Sequence, residues 1–289
     1  MGTKIDELLE ELEPEIRRWR RDFHRYPEPG WGEYRTASII AGTLEELGWS
    51  VRTGRDVIRA GARMGVPEEH VLEEHYARAV SQGADVRYAG RLAGGYTGVV
   101  ADLSPGRAAA GPVIAFRFDI DAVEVDESDD QDHLPAREGF ASVNGGLMHA
   151  CGHDGHAAIG LGLAGVLAEI KEELPGPVRL VFQPAEEGVT GARSMVEAGV
   201  LDDVDRLFGL HIGLEAKKTG ELYCGTGGVL ATSKLDVRDE GVAAHAGIEP
   251  QGGSNALLSA ATAVLNLQAI PRHGGGATRI NVGRMSAGS

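Results

Sequence analysis

The chain has 289 residues, of which 42% are hydrophobic, and carries a formal net charge of -15 at pH 7. That length can bury a substantial core, in one large domain or two smaller ones, and the ordinary apolar share excludes a disordered chain. The acidic excess argues against nucleic acid as a partner, no apolar run nears the roughly 20 residues of a membrane helix, and two cysteines, Cys151 and Cys224, cannot frame a disulfide-stapled fold.

The N-terminal stretch "MGTKIDELLEELEPEIRRWRRDF" is charged throughout and has no secretory apolar region, so a cytoplasmic location is expected. Within it Ile5, Leu8, Leu9, Leu12, Ile16, Trp19 and Phe23 recur at three- and four-residue steps, which predicts an amphipathic helix. "YPEPGWGE" ends that helix with two prolines and two glycines. A second helix is predicted from about Tyr34 to Leu47, with Gly48 as its C-cap, and "WSVRT" reads as a short strand. Residues 55–96 differ in texture, with helical charge spacing followed by glycines, and read as a helical insertion between two strands. "TGVVADL" and "PVIAFRFD" are β-type runs, "HAAIGLGLAGVLAEIKEEL" a long helix with a face of small residues, "PVRLVFQP" a buried strand, "GARSMVEAGV" a helix and "RLFGLHI" a further strand. Strands and helices alternating at this spacing predict an α/β fold with a mostly parallel sheet flanked by helices. From residue 217 the texture changes: "LATSKLDVRDE" and "TRINVGRM" read as strands around the helix "NALLSAATAVLNLQAI", the start of a smaller α+β domain. The expected division is residues 1–216 and 217–289.

The stretch "MHACGHDGH" gathers His149, Cys151, His153, Asp154 and His156 at one turn. Cys151 and His153 suit a zinc-like ion, and residues two apart in an extended segment share a side. A buried cysteine beside helix-capping polar residues is the plainer reading of this stretch alone. "FRFDIDA" ends an apolar strand in Asp119 and Asp121, "FQPAEEG" places Glu186 and Glu187 past another, and "LFGLHI" places His211 past a third. In open parallel sheets ligands sit outside the carboxyl ends of the strands, so these ends and the helix start are expected to meet in one crevice. The acid pair suggests one carboxylate for a metal and one for proton transfer to and from water, the chemistry of amide hydrolysis. His245, among small residues in "GVAAHAG", is either a loop histidine or a hydrogen-bond donor to an oxyanion. Asn255 either caps a helix or touches substrate. His149 and His156 are candidates to support metal ligands through their own hydrogen bonds. His24 reads as structural, His70 and His75 as solvated, and His133 and His273 as loop residues. A redox or nucleophilic role for Cys151 is the weaker alternative, because nearby carboxylates raise a thiol pKa.

Together "MHACGHDGH", "FRFDIDA", "FQPAEEG" and "GLHI" resemble the dinuclear metal aminoacylase and carboxypeptidase amidohydrolases, in the cysteine-containing branch that includes the plant auxin-conjugate hydrolases. The resemblance implies a zinc-exopeptidase-like catalytic domain with a smaller lid or dimerisation domain. It implies two divalent ions per site, Zn or Mn, held by Cys151, His153, Glu187 and His211. Glu186 would be the general acid/base, Asp121 would orient a ligand with Asp119 nearby, and His245 would reach an active site, that of a dimer partner. The expected substrate is an N-acyl amino acid, p-aminobenzoyl-glutamate or a related conjugate, and the expected assembly a homodimer or a heteromer with a paralogous subunit, with no nucleic acid and no membrane. A non-catalytic metal-binding subunit supporting such a paralogue is the alternative. Members of that family are longer and return to the catalytic domain to supply a last histidine ligand. No histidine follows His273 here, so a piece of a longer protein, with the second metal's ligand set incomplete, is expected.

Overall fold

The structure is a computed structural model and describes residues 2–106, 110–213, 216–225, 227 and 230–287. Helix α1 (Gly2–Arg25) follows the apolar spacing of its sequence, and Leu12, Ile16, Trp19 and Phe23 join the core. It packs on α6 (His153–Glu169), which carries glycine where α1 comes closest. A Cβ on Gly162 would stand 2.6 Å from Ile16 Cδ1, and one on Gly165 would stand 3.1 Å from Leu12 Cδ1. Gly160, toward the sheet, would place a Cβ 2.7 Å from Phe182 Cε1 and 2.9 Å from Phe118 Cδ2. The small residues therefore let one helix lie close to both a helix and a sheet. Gly160→Val is expected to overpack this layer and to cost about 1–3 kcal/mol, read as a lower denaturant midpoint with an unchanged slope.

Among the described residues the first unit, Met1–Glu221, holds one five-stranded sheet of order β1-β2-β4-β3-β5. Its strands are β1 (Ser50–Thr53), β2 (Val99–Leu103), β3 (Ile114–Asp119), β4 (Val178–Gln183) and β5 (Arg206–Gly209). The run β4-β3-β5 is parallel, as the alternation predicts, while β1 and β2 add an antiparallel half. The helical insertion separates β1 from β2, contributing α3 (Glu69–Ser81) and α4 (Val86–Leu92). Helix α2 (Tyr34–Glu46) begins where the buried Glu28 carboxylate accepts from the Arg35 and Thr36 N–H groups at 2.9 and 2.8 Å. An acid at a helix N-terminus satisfies otherwise unpaired donors and opposes the helix dipole. Along β4, Leu180 and Phe182 enter the larger core with α1, α2 and α6, while Val181 enters a second cluster with Trp31, Ile58, Leu72 and Met195. Both faces of the sheet centre are thus covered, as an apolar strand without polar alternation requires.

Short helices α5 (Leu134–Arg137) and α7 (Ala192–Val196) lie in connections. The second unit, Leu222–Ser289, contains α8 (Ala256–Gln268), whose N-cap Asn255 accepts from Leu258 N–H at 3.2 Å. The strands expected over 230–240 and 278–285 are not formed among the described residues. Among its described residues this unit has only an isolated bridge, Val242 to Ser254, and Leu235 and Val237 are 84% and 79% exposed. A strand pattern needs a partner ladder to become a strand, and none of the described segments supplies one here. Among the described residues no helix is long and apolar enough to cross a membrane.

Candidate metal centre

The predicted strand ends do meet. Asp119 is the last residue of β3, with Asp121 just beyond it; Glu186 and Glu187 follow β4, and His211 follows β5. Cys151 and His153 come from the entry to α6, not from an extended segment as the sequence suggested. They converge because Gly152, the N-cap of α6, turns the chain at φ 87°, a conformation that costs glycine little. Asp154, the next residue, is pinned at 2.8 Å by His24 Nδ1 and at 2.9 Å by Arg20, so α1 holds the first turn of α6 in place.

His153 is the hub. Its imidazole is fully buried, and neither ring nitrogen has a well-formed hydrogen bond. Asp121 Oδ1 lies 3.4 Å from Nδ1, while Asp119 Oδ1, Glu187 Oε1 and Glu186 Oε2 lie 3.6, 3.6 and 3.7 Å from Nε2. Burial opposes a charge on this ring, but the approach of Asp121 and the charges of Asp119, Asp121 and Glu187 outweigh it and lift its pKa to about 9. A buried nitrogen without a regular partner, surrounded by carboxylate oxygens, is chemically suited to face a cation. His211 completes the thiol side: its Nδ1 donates to the Ile212 carbonyl at 2.8 Å, which leaves the Nε2 lone pair facing Cys151 Sγ at 3.4 Å. Ligand atoms of Cys151, His153 and His211 lie within 4.8 Å of one another, as do those of His153, Glu186 and Glu187. Thiolate, imidazole and carboxylate donors form a set that suits zinc-like ions.

Other groups hold these residues in place. Asp121 accepts from the Glu186 and Glu187 N–H groups at 2.9 and 3.0 Å, so it orients both acids as well as the His153 ring. His156 Nδ1 bonds Asp119, and its Nε2 accepts from Ile212 N–H at 2.8 Å. Both His156 nitrogens are therefore engaged, and the ring works as a brace between β3 and the His211 segment. Arg117 donates to Asp119 at 2.7 Å. Burial would raise the Asp119 pKa, but His156 and Arg117 overcome it and hold the carboxylate at about 2. Glu186, half-buried, has its pKa raised, by burial first and then by Asp119.

Cys151 is pushed up to about 12, by burial first and then by the Glu187 carboxylate. A thiol held protonated so firmly is a poor nucleophile, which disfavours the redox reading, whereas a bound cation reverses the effect. Metal uptake at pH 7 is then expected to release about two protons, one from Cys151 and one from His153, because only the deprotonated forms bind. Affinity should climb with pH, with a shallower slope above about 9, where the His153 proton is already gone and only the Cys151 proton is left to displace. Calorimetry in buffers of different ionisation enthalpy checks the proton count.

Other expectations resolve locally. His149 is 4% exposed, has no hydrogen bond from either ring nitrogen, and is held neutral by burial, down to a pKa of about 4. His75 is half-buried, not solvated: its ring packs on Gly32 and its Nδ1 meets Arg78 at 3.0 Å, because α3 lies on the α2 side of the insertion. His245 lies in the second unit, where its Nδ1 accepts from Gly247 and Ile248 N–H at 3.1 Å each. Sequence reasoning passed over Glu33, which is fully buried behind the acid pair. The available signal was its place in "PEPGWGE", a polar residue among turn formers beside a helix start.

Comparison with known proteins agrees with this geometry. The family model for peptidase family M20/M25/M40 matches residues 115–285, well over half the chain and the segment that carries every candidate metal ligand. The chain belongs to that family. Two curated M20 relatives are each 50% identical over 285 residues, covering 99% of this chain and 65% of their own length: one of the subunits of p-aminobenzoyl-glutamate hydrolase from Escherichia coli, and indole-3-acetyl-aspartic acid hydrolase of Enterobacter agglomerans. A crystal structure of an aminobenzoyl-glutamate utilization protein from Klebsiella pneumoniae superposes with a TM-score of 0.77 at 47% identity, over 99% of this chain and 65% of that one. A Bacillus subtilis structure described as a dinuclear metal binding peptidase from the M20 family is 35% identical, with a TM-score of 0.50 over 70% of this chain and 43% of that one. The chain therefore spans about two thirds of the length of the M20 relatives it matches most fully.

Proposed function

We propose that the protein containing this chain is a metal-dependent amidohydrolase that cleaves the amide bond of an N-acyl amino acid, with p-aminobenzoyl-glutamate or a related aminoacyl conjugate as substrate. The observation that carries the reading is the convergence of Cys151, His153, His211 and the Glu186–Glu187 pair at one sheet edge, around an imidazole without a regular hydrogen bond. The names of the E. coli and E. agglomerans relatives support the substrate class. Cys151, His153, Glu187 and His211 are the residues that would hold divalent metal, two ions per site, Zn or Mn. Bound there, the metal supplies positive charge that polarises a carbonyl and acidifies water. Glu186, with its raised pKa and its main chain fixed by Asp121, accepts a proton from the attacking water and returns it to the leaving nitrogen. Asp121 keeps the acid pair and His153 in register. His245 is the proposed donor to the oxyanion, in the active site of a dimer partner, and Asn255 a proposed substrate contact in addition to its capping role.

The test is direct. The intact protein, stripped of metal, should be inactive; reloading with zinc or manganese should restore cleavage of p-aminobenzoyl-glutamate within a small panel of N-acyl amino acids. Turnover that survives chelation would sink the assignment. The E. coli relative is named as one subunit of its hydrolase, which favours a second reading, a heteromer in which this chain supports a paralogous partner in the cytoplasm. Activity of the purified protein without any partner would remove the support-only version of that reading.

A further inference from the structure

Three consecutive main-chain N–H groups, those of Ala185, Glu186 and Glu187, are each held by a carboxyl group from elsewhere in the fold. Asp121 takes the last two. Glu33, at the entry to α2, takes the first: its Oε1 accepts from Ala185 N–H at 2.7 Å, while its Oε2 meets Thr97 Oγ1 at 2.6 Å. The turn so held is unusual. Ala185 has φ 52° and Val189 φ 55°, both in the left-handed region that residues with a side chain rarely adopt. Such conformations persist only where the surroundings over-determine them. Ala185 is buried, and Gly30 lies against it so closely that a Cβ there would stand 3.1 Å from both Ala185 Cα and Cβ. Glu33 sits behind the acid pair, and among the described residues no hydrogen bond or ion pair joins it to His153.

We propose that Glu33 is a positioning residue for the centre: through Ala185 N–H it fixes the left-handed turn from which Glu186 and Glu187 project. The proposal rests on the reading of Glu187 as a ligand and Glu186 as the base. The role needs an acceptor toward Ala185 and a polar partner for Thr97, and a carboxamide provides both. An apolar side chain of similar length provides neither.

The full-length protein loaded with Co(II) tests this through its visible spectrum, its Co(II) affinity by chelator competition, and its kcat and KM. Glu33→Met is expected to shift the spectrum, weaken Co(II) about tenfold and lower kcat about 10²-fold, with KM changed less. Glu33→Gln should stay within about threefold of the parent in every readout, since its hydrogen bonds survive. A folded Glu33→Met protein with the parent spectrum and affinity overturns the proposal, because a merely structural role would lower Tm without moving either. A Glu33→Gln protein as impaired as Glu33→Met overturns it too. Should Glu33→Met not fold, Glu33→Leu removes the same acceptor and is expected to shift the spectrum in turn; an unchanged spectrum there refutes the proposal. Glu186→Gln, run alongside, should lose turnover while keeping the parent spectrum. Retained turnover in that variant defeats the base assignment alone, and the Glu33 spectra still decide the positioning role.

Discussion

Glu186→Gln is expected to lower kcat by about 10²–10⁴-fold, the range for loss of a general acid/base, while bound metal stays at the parent stoichiometry. The substitution keeps the shape of the side chain and removes only its ability to take and return a proton. Glu186 is suited to that exchange, since burial and the charge of Asp119 raise its pKa above the ordinary glutamate value. Its main chain remains fixed through Asp121, and ligand atoms of Cys151, His153 and His211 cluster without it. KM should therefore change little, as expected for a group that acts only in the transition state. Steady-state kinetics with metal analysis on the same samples checks both halves. A variant with parental kcat would remove Glu186 from the mechanism.

His153→Leu is expected to have the other large effect, on stability as well as on activity. In the metal-free protein this imidazole is the buried cation among Asp119, Asp121, Glu186 and Glu187, all within 3.4–3.7 Å. Removing it takes away the buried positive charge that these carboxylates face, a change that costs about 3–5 kcal/mol when a buried ion pair loses one member. The pH dependence gives a second readout. The folded pKa of His153, about 9, lies above the ordinary histidine value of 6.5. Its contribution is therefore fully present below pH 6.5 and disappears as pH rises through about 9. Metal-free parent protein should lose stability across that window, and His153→Leu should lack this component while binding no metal at the site. Urea titrations at a series of pH values measure both. An equal pH slope in parent and variant would show that the imidazole is not the counter-charge.

Cys151 and Glu33 differ in how far the sequence reveals them. Cys151, His153, Asp119, Asp121, Glu186, Glu187 and His211 were readable because each stands at a strand end or helix start, where local patterns mark the element boundary. Glu33 was not, because what distinguishes it is contact with Ala185, 152 residues away in sequence, and nothing in its own neighbourhood records that contact. The same limit separates His156 from His149. Both stand in one motif, yet one ring braces β3 against the His211 segment and the other is buried without a hydrogen bond. The strands expected over 230–240 and 278–285 mark the opposite failure, a legible pattern that lacks a described partner to pair with.

By itself the sequence determined the parts: an amphipathic first helix, apolar strands ending in acids and histidines, a helix of small residues opening on Cys-Gly-His, and a helical insertion between two strands. These follow from side-chain periodicity and from the conformational range of glycine and proline, which act over a few residues. Only the tertiary structure decided which nitrogen faces which carboxylate, that Asp121 and Glu33 share the three N–H groups of one left-handed turn, and that α1 pins the start of α6 through Asp154. Those facts depend on hydrogen bonds and close packing between segments far apart in the chain, whose geometry no local pattern encodes.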